Sequence, residues 1–193
     1  MPAIVLSYPD EQRKAHVKTV YKDEVDWLVR NEKRNLFIKN LCLSLKGNTL
    51  LLFQFVDKHG KVLYDMLKDR PNVYFVNGSV SGDEREDIRQ IVEKQTDAII
   101  VASYGTFSTG VNIKNLHNVV FSSPSKSRVR TLQSIGRGLR KSDTKTDAVL
   151  YDIADDLTWK SRKNFTILHF AERIKMYGGE KFDYKIYTVE IKG

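Results

Sequence analysis

Between residues 21 and 45, Val25, Leu28, Val29, Phe37, Ile38, Leu41 and Leu45 recur at helical spacing, which predicts one or two amphipathic helices. Past residue 49 the rhythm changes. Short apolar runs at 50–56, 73–76, 98–102, 119–122 and 148–153 alternate with longer polar-periodic stretches that read as helices. The runs are almost continuously apolar, as strands are when both faces of a parallel sheet are covered, so the pattern predicts an α/β fold with right-handed crossovers. Ser81-Gly82-Asp83-Glu84 has the S-x-x-E form in which serine and glutamate side chains satisfy each other's free backbone N–H groups, predicting a helix from there to about residue 94.

The two ends differ from this middle. Residues 1–20 show little periodicity, and Tyr8-Pro9-Asp10 is a turn signal, so the stretch reads as a linker or extension. After residue 156, Trp159, Phe165, Leu168, Phe170 and Ile174 follow a helical pattern, and Tyr184-Lys185-Ile186-Tyr187-Thr188-Val189 alternates like a half-buried strand. His169, Arg173 and Tyr177 recur four apart on that helix, in a segment that also carries Lys160, Arg162, Lys163 and Lys175. Its cations either face a DNA duplex or are simply solvated, and the sequence leaves both readings open.

The densest chemistry is in Gln133-Ser134-Ile135-Gly136-Arg137-Gly138-Leu139-Arg140. On a helix, Arg137 and Arg140 share a face, with Gln133 one turn earlier, and two permanent guanidinium charges on one face suit a triphosphate. Gly136 and Gly138 each cost a helix about 1 kcal/mol relative to alanine, which points to a close approach to the backbone. A second candidate is the strand from Ile99 that runs into Ser103-Tyr104-Gly105-Thr106-Phe107-Ser108-Thr109-Gly110-Val111-Asn112, a loop dense in hydroxyls and glycine at the strand end where open α/β sheets bind ligands. Asn77-Gly78-Ser79 forms a turn after the preceding strand. Phe53 and Phe55 read as core rather than base-stacking platforms, His59 as structural or exposed, and Cys42 as packing.

The octapeptide resembles motif VI of superfamily 2 helicases, Q-x-x-G-R-x-x-R; the run through Ser103 to Asn112 resembles motif V; and Leu51 to Lys61 resembles motif IV. They occur in the family's order, and the resemblance covers residues 21–156. It implies a RecA-like parallel sheet flanked by helices on both faces, with N-terminal and C-terminal helical extensions. The implied domains are 1–20 as interdomain linker or extension, 21–156 as the helicase C-terminal RecA-like domain, and 157–193 as a helix-and-strand extension of it. By the same resemblance Arg137 and Arg140 are catalytic arginine fingers, Gly110, Asn112 and Gln133 face the nucleotide, and Asn77, Gly78, Ser79 and Ser103 contact the nucleic-acid backbone. At Asn112 the family most often has an aspartate that accepts from ribose hydroxyls; asparagine also accepts, so nucleotide contact is weakened rather than lost.

No G-x-x-x-x-G-K-[ST] phosphate loop is present, and no acidic box is read as a magnesium site; Asp83-Glu84-Arg85-Glu86 reads as a helix start favoured by the helix dipole. The chain alone is therefore expected not to hydrolyse ATP. ATP and Mg2+ are expected as cofactors of the full-length protein, none bound to this chain alone. An N-terminal RecA-like domain of the same protein and branched DNA or an RNA–DNA hybrid are the expected partners. The formal net charge of +8 and a pI of about 9.4 favour a polyanionic partner. The rival reading is a stand-alone nucleic-acid-binding module without an ATP role. A single cysteine excludes an internal disulfide and a cysteine-rich zinc site, and the lack of a long apolar run or signal-like N-terminus gives a cytoplasmic expectation.

Overall fold

The computed structural model describes residues 1–108, 113, 115–123, 148–179 and 181–193. Its strands are β1 (Pro2–Ser7), β2 (Thr49–Phe53), β3 (Val73–Val76), β4 (Ile99–Ser103), β5 (Asn118–Phe121), β6 (Val149–Asp156) and β7 (Lys185–Glu190). They form one sheet in the order β3-β4-β2-β5-β6-β1-β7. Every neighbouring pair is parallel. The helices are α1 (Asp10–Ala15), α2 (Tyr21–Arg30), α3 (Glu32–Ser44), α4 (Lys61–Leu67), α5 (Gly82–Glu93), α6 (Tyr104–Ser108) and α7 (Phe165–Gly179), with a π-helical turn at Val56–Gly60 before α4.

Side-chain alternation along the strands divides the core into two faces. Leu51, Phe53, Val101, Val120 and Ile153 point to one face, where Leu28 of α2, Ile38 of α3 and Leu63 of α4 cover them. Leu50, Leu52, Ile100, Val119 and Phe121 point to the other, against Val92 and Ile88 of α5. Further along that side, α7 lays Phe170 and Ile167 over Ala3, Val5 and Ala154. The predicted capping box is formed: the Ser81 hydroxyl accepts from Glu84 N at 3.1 Å, and Ser81 N donates to the Glu84 carboxylate at 3.0 Å.

Residues 1–20 are more than a linker. Ala3-Ile4-Val5-Leu6 is an interior strand, in register with β6 from Ala3↔Asp152 and with β7 from Pro2↔Lys185. A four-residue apolar run buried on both faces has no alternation to betray it, and its partners lie far along the chain. At the other end β7, read as half-buried, is a largely exposed edge strand.

Strand β6 carries two buried carboxylates three residues apart, so they project from opposite faces. Asp155 receives Arg34 of α3 in a bidentate pair at 2.8 and 3.0 Å, and accepts from the Tyr8 hydroxyl at 2.6 Å. Asp152 receives Arg173 of α7, likewise at 2.8 and 3.0 Å, and the Tyr177 hydroxyl. Burial disfavours the Arg34 cation, but the Asp155 carboxylate outweighs it and raises the guanidinium above its ordinary value. Burial, then Asp155, pushes the Tyr8 hydroxyl well up, so it remains a protonated donor. Two of the three residues spaced four apart on α7, Arg173 and Tyr177, thus face the core rather than a DNA duplex.

Candidate nucleic-acid and nucleotide interface

A wholly parallel sheet delivers the C-terminal ends of its strands to one side, where loops collect. Strands β3 and β4 end within one residue of each other, Val76 opposite Ala102, so Asn77, just past β3, and Ser103, the last residue of β4, lie at the same level on neighbouring strands. The Asn77 side chain accepts from Ser79 N at 2.8 Å and from the Ser79 hydroxyl, and Val80 N donates to Asn77 O at 3.1 Å. This is a self-braced Asx turn. Gly78 at its tip has nothing within 4 Å of where a side chain would begin, which leaves room for a phosphate to approach the backbone. The Ser103 hydroxyl lies 2.7 Å from the Thr106 hydroxyl and 3.4 Å from Thr106 N, fixing the first turn of α6 directly onto the strand.

The structure therefore brings together four of the anticipated residues, Asn77, Gly78, Ser79 and Ser103. Gly110, Asn112, Gln133, Arg137 and Arg140 lie outside the described residues.

Behind these loops His59 is fully buried in the π-helical turn. Its Nε2 lies 3.1 Å from the Asn35 amide oxygen and its Nδ1 lies 3.2 Å from the Ser123 hydroxyl, which also accepts from Gln54 N at 3.0 Å. The ring ties the ends of β2 and β5 to α3. Burial, helped by the Arg34 charge, lowers its pKa well below the ordinary histidine value, so it serves as a neutral spacer. Phe53 is buried and stacks on Phe75 at 5.5 Å between centroids, while Lys58 sits 4.0 Å over the Phe55 ring. Cys42 is buried, which drives its thiol up to about 12 and leaves it inert.

The letters D-E-x-D do occur, at Asp23-Glu24-Val25-Asp26, and correct the sequence reading of the acidic segments. They occupy helix α2 rather than a strand end. Glu24 is buried and accepts from Phe165 N at 3.1 Å and Thr166 N at 2.7 Å, capping α7. Asp26 pairs with Lys58 and Arg30, whose hydrogen bonds lower its pKa. Among the described residues no group of three or more His, Cys, Asp or Glu is placed to hold a metal ion. The hydroxyl, amide and backbone donors of the strand-end loops suit phosphate oxygens instead.

The profile of the helicase conserved C-terminal domain matches residues 32–142. The chain belongs to that family. This helicase domain is 36% identical over 203 residues to the ATP-dependent DNA helicase uvsW of Enterobacteria phage T4, a match that covers 98% of the chain. It spans 40% of the length of that helicase. The crystal structure of T4 UvsW superposes with a TM-score of 0.88 over 99% of this chain and 41% of that one. The structure of S. cerevisiae Dbp5 bound to RNA and ADP BeF3 matches all of this chain and 42% of its own with a TM-score of 0.59; at 13% identity it shows the shared RecA-like fold alone.

Reasoning from sequence missed the His59, Asn35 and Ser123 brace and the Glu24 cap. Each joins residues distant along the chain and leaves no local spacing to recognise.

Proposed function

We propose that this domain is the second motor domain of an ATP-dependent DNA (or RNA–DNA) helicase that remodels branched nucleic acids in recombination and repair. The observation that carries the reading is the Gln133-to-Arg140 run, which falls within the family match of a chain related over nearly its whole length to a DNA helicase.

In this reading Arg137 and Arg140 reach a triphosphate held by an N-terminal RecA-like domain and stabilise the charge that spreads over the transferred phosphoryl group. Gln133, Gly110 and Asn112 complete the nucleotide side. Ser103 and the Asn77 turn hold phosphates of the translocated strand by hydrogen bonds that do not depend on base identity. ATP and Mg2+ serve the full-length protein, and the metal's ligands come from the other domain. This chain by itself hydrolyses no ATP.

The test is ATP turnover by the purified chain, with and without branched DNA, and again with the N-terminal domain linked back. No turnover alone and turnover on linkage support the half-motor; hydrolysis by the chain alone overturns it. In the linked protein Arg140→Ala lowers turnover about a thousandfold or more while DNA affinity holds, as for other arginine fingers. Unimpaired turnover, or loss confined to DNA affinity, would leave a binding module without an ATP role.

A further inference from the structure

The loop after β6 opens on the same side of the sheet as Asn77 and Ser103, and none of the helicase motifs includes it. Trp159 and Arg162 close it as a tight turn, each backbone N–H donating to the other's carbonyl at 3.0 Å. Its stems are fastened from several directions. Arg13 donates to Thr158 O at 3.1 Å, and Leu157 N donates to the Asn164 side chain at 2.9 Å. The Asn164 amide in turn reaches Asp155 O at 3.1 Å and the Thr166 hydroxyl at 2.9 Å.

On this rigid base Lys160, Arg162 and Lys163 are all exposed. None of the three side chains forms an ion pair or hydrogen bond among the described residues. Lys160 adopts φ 53°, a left-handed conformation that glycine or asparagine takes more cheaply, so a lysine here keeps its charge against a backbone penalty.

An aromatic surface continues from the cations. Phe165, two residues past Lys163, is 42% exposed, and its ring meets Tyr21 edge-on at 6.0 Å. Tyr21 in turn meets the His169 ring at 5.2 Å. Arg162 and Lys163, on a braced turn and within three residues of an exposed ring, match the two parts of an unpaired nucleotide, phosphate and base.

The spacing also fits. In the sheet order, β6 stands three positions from β4, about 14 Å at the usual strand separation. That is about four base steps along a stacked duplex, so the turn lies a few nucleotides from the loops at Asn77 and Ser103.

We propose that the Lys160–Lys163 turn and Phe165 form a second nucleic-acid contact, which takes the unpaired strand at a branch: Arg162 and Lys163 hold its phosphates and Phe165 stacks on a base. The proposal rests on the helicase reading, because it extends the line of strand-end loops assigned there to nucleic acid.

It is tested by fluorescence anisotropy of the purified chain with a forked DNA carrying unpaired arms and with a blunt duplex, over a salt series. Arg162→Gln with Lys163→Gln lowers the slope of log affinity against log salt by about 2. Lys46→Gln with Lys94→Gln removes the same charge from exposed positions at the opposite ends of the strands and leaves the slope unchanged. Phe165→Ala weakens fork binding about fivefold to a hundredfold and spares the blunt duplex. A slope that is unchanged in the turn variant, or lowered equally in the control, overturns the proposal, as does a Phe165→Ala loss shared by both DNAs. Thermal melting confirms that each variant is folded. Failure of the parent chain to bind either DNA would instead overturn the nucleic-acid role of the domain itself.

Discussion

Removing one partner of the Arg34–Asp155 pair tests how the domain is held together. Both side chains are fully buried and meet bidentately at 2.8 and 3.0 Å. Arg34→Met fills similar volume but strands a carboxylate whose remaining side-chain partner is the Tyr8 hydroxyl. Breaking a buried pair from one side costs about 3–5 kcal/mol, a large part of the about 5–15 kcal/mol that holds a domain folded. With a urea dependence of about 1–3 kcal/mol per molar, the unfolding midpoint falls by more than about 1 M. Replacing the whole cluster, Arg34→Met with Asp155→Leu and Tyr8→Phe, recovers most of that loss, because no charge or donor is then buried alone. The Arg34 Nη1 atom, buried without a partner among the described residues, already points to a net desolvation cost. Urea unfolding followed by far-UV circular dichroism reads all three proteins. A single-variant loss below about 1 kcal/mol, or a triple variant as unstable as the sum of its parts, refutes the reasoning.

His59 and Gly60 give two further tests. The buried His59 imidazole stays neutral where the unfolded chain, near its ordinary 6.5, takes up a proton. Stability is therefore fully present above pH 6.5 and is lost as pH falls below it, by about 1.4 kcal/mol per pH unit; His59→Gln flattens that dependence in urea midpoints between pH 7.5 and 5.5, and an unchanged slope refutes the assignment. At Gly60 a β-carbon would lie 2.5 Å from two atoms of the buried Phe53 ring, whereas at Gly82 it would meet nothing within 4 Å. Gly60→Ala consequently lowers stability by about 1–3 kcal/mol while Gly82→Ala does not, as differential unfolding shows; equal effects would mean the ring gives way freely.

Much of the fold was legible because its strands are short apolar runs separated by marked helix starts. The run at 73–76 coincides with β3, and the Ser81 cap places the start of α5. Strand β1 escaped because Ala3-Ile4-Val5-Leu6 has no alternation and pairs only with residues beyond 150. The role of β6 was half visible: its apolar residues announced a strand, but nothing local shows that Asp152 and Asp155 take arginines from helices on opposite faces. The turn at Asn77 and the hydroxyl-rich strand end at Ser103 were readable because turn and hydroxyl chemistry is local. The basic turn near Lys160 was visible only as charge, since its rigidity comes from Arg13, Glu24 and Asn164, which sequence spacing does not connect.

The parallel seating of β1 between β6 and β7 sets a timetable for synthesis. Ala3 must wait for Asp152, 149 residues later, before its interior strand finds a partner. At about 5–20 residues per second that is about 7–30 s during which Ala3-Ile4-Val5-Leu6 stands outside the ribosome with both edges open. Strands β2 to β5 can assemble first, and Ala3-Ile4-Val5-Leu6 joins them only once β6 has followed, with β7 adding to its other edge after that; sequestration of those residues by a chaperone in the interval would raise the yield of folded domain.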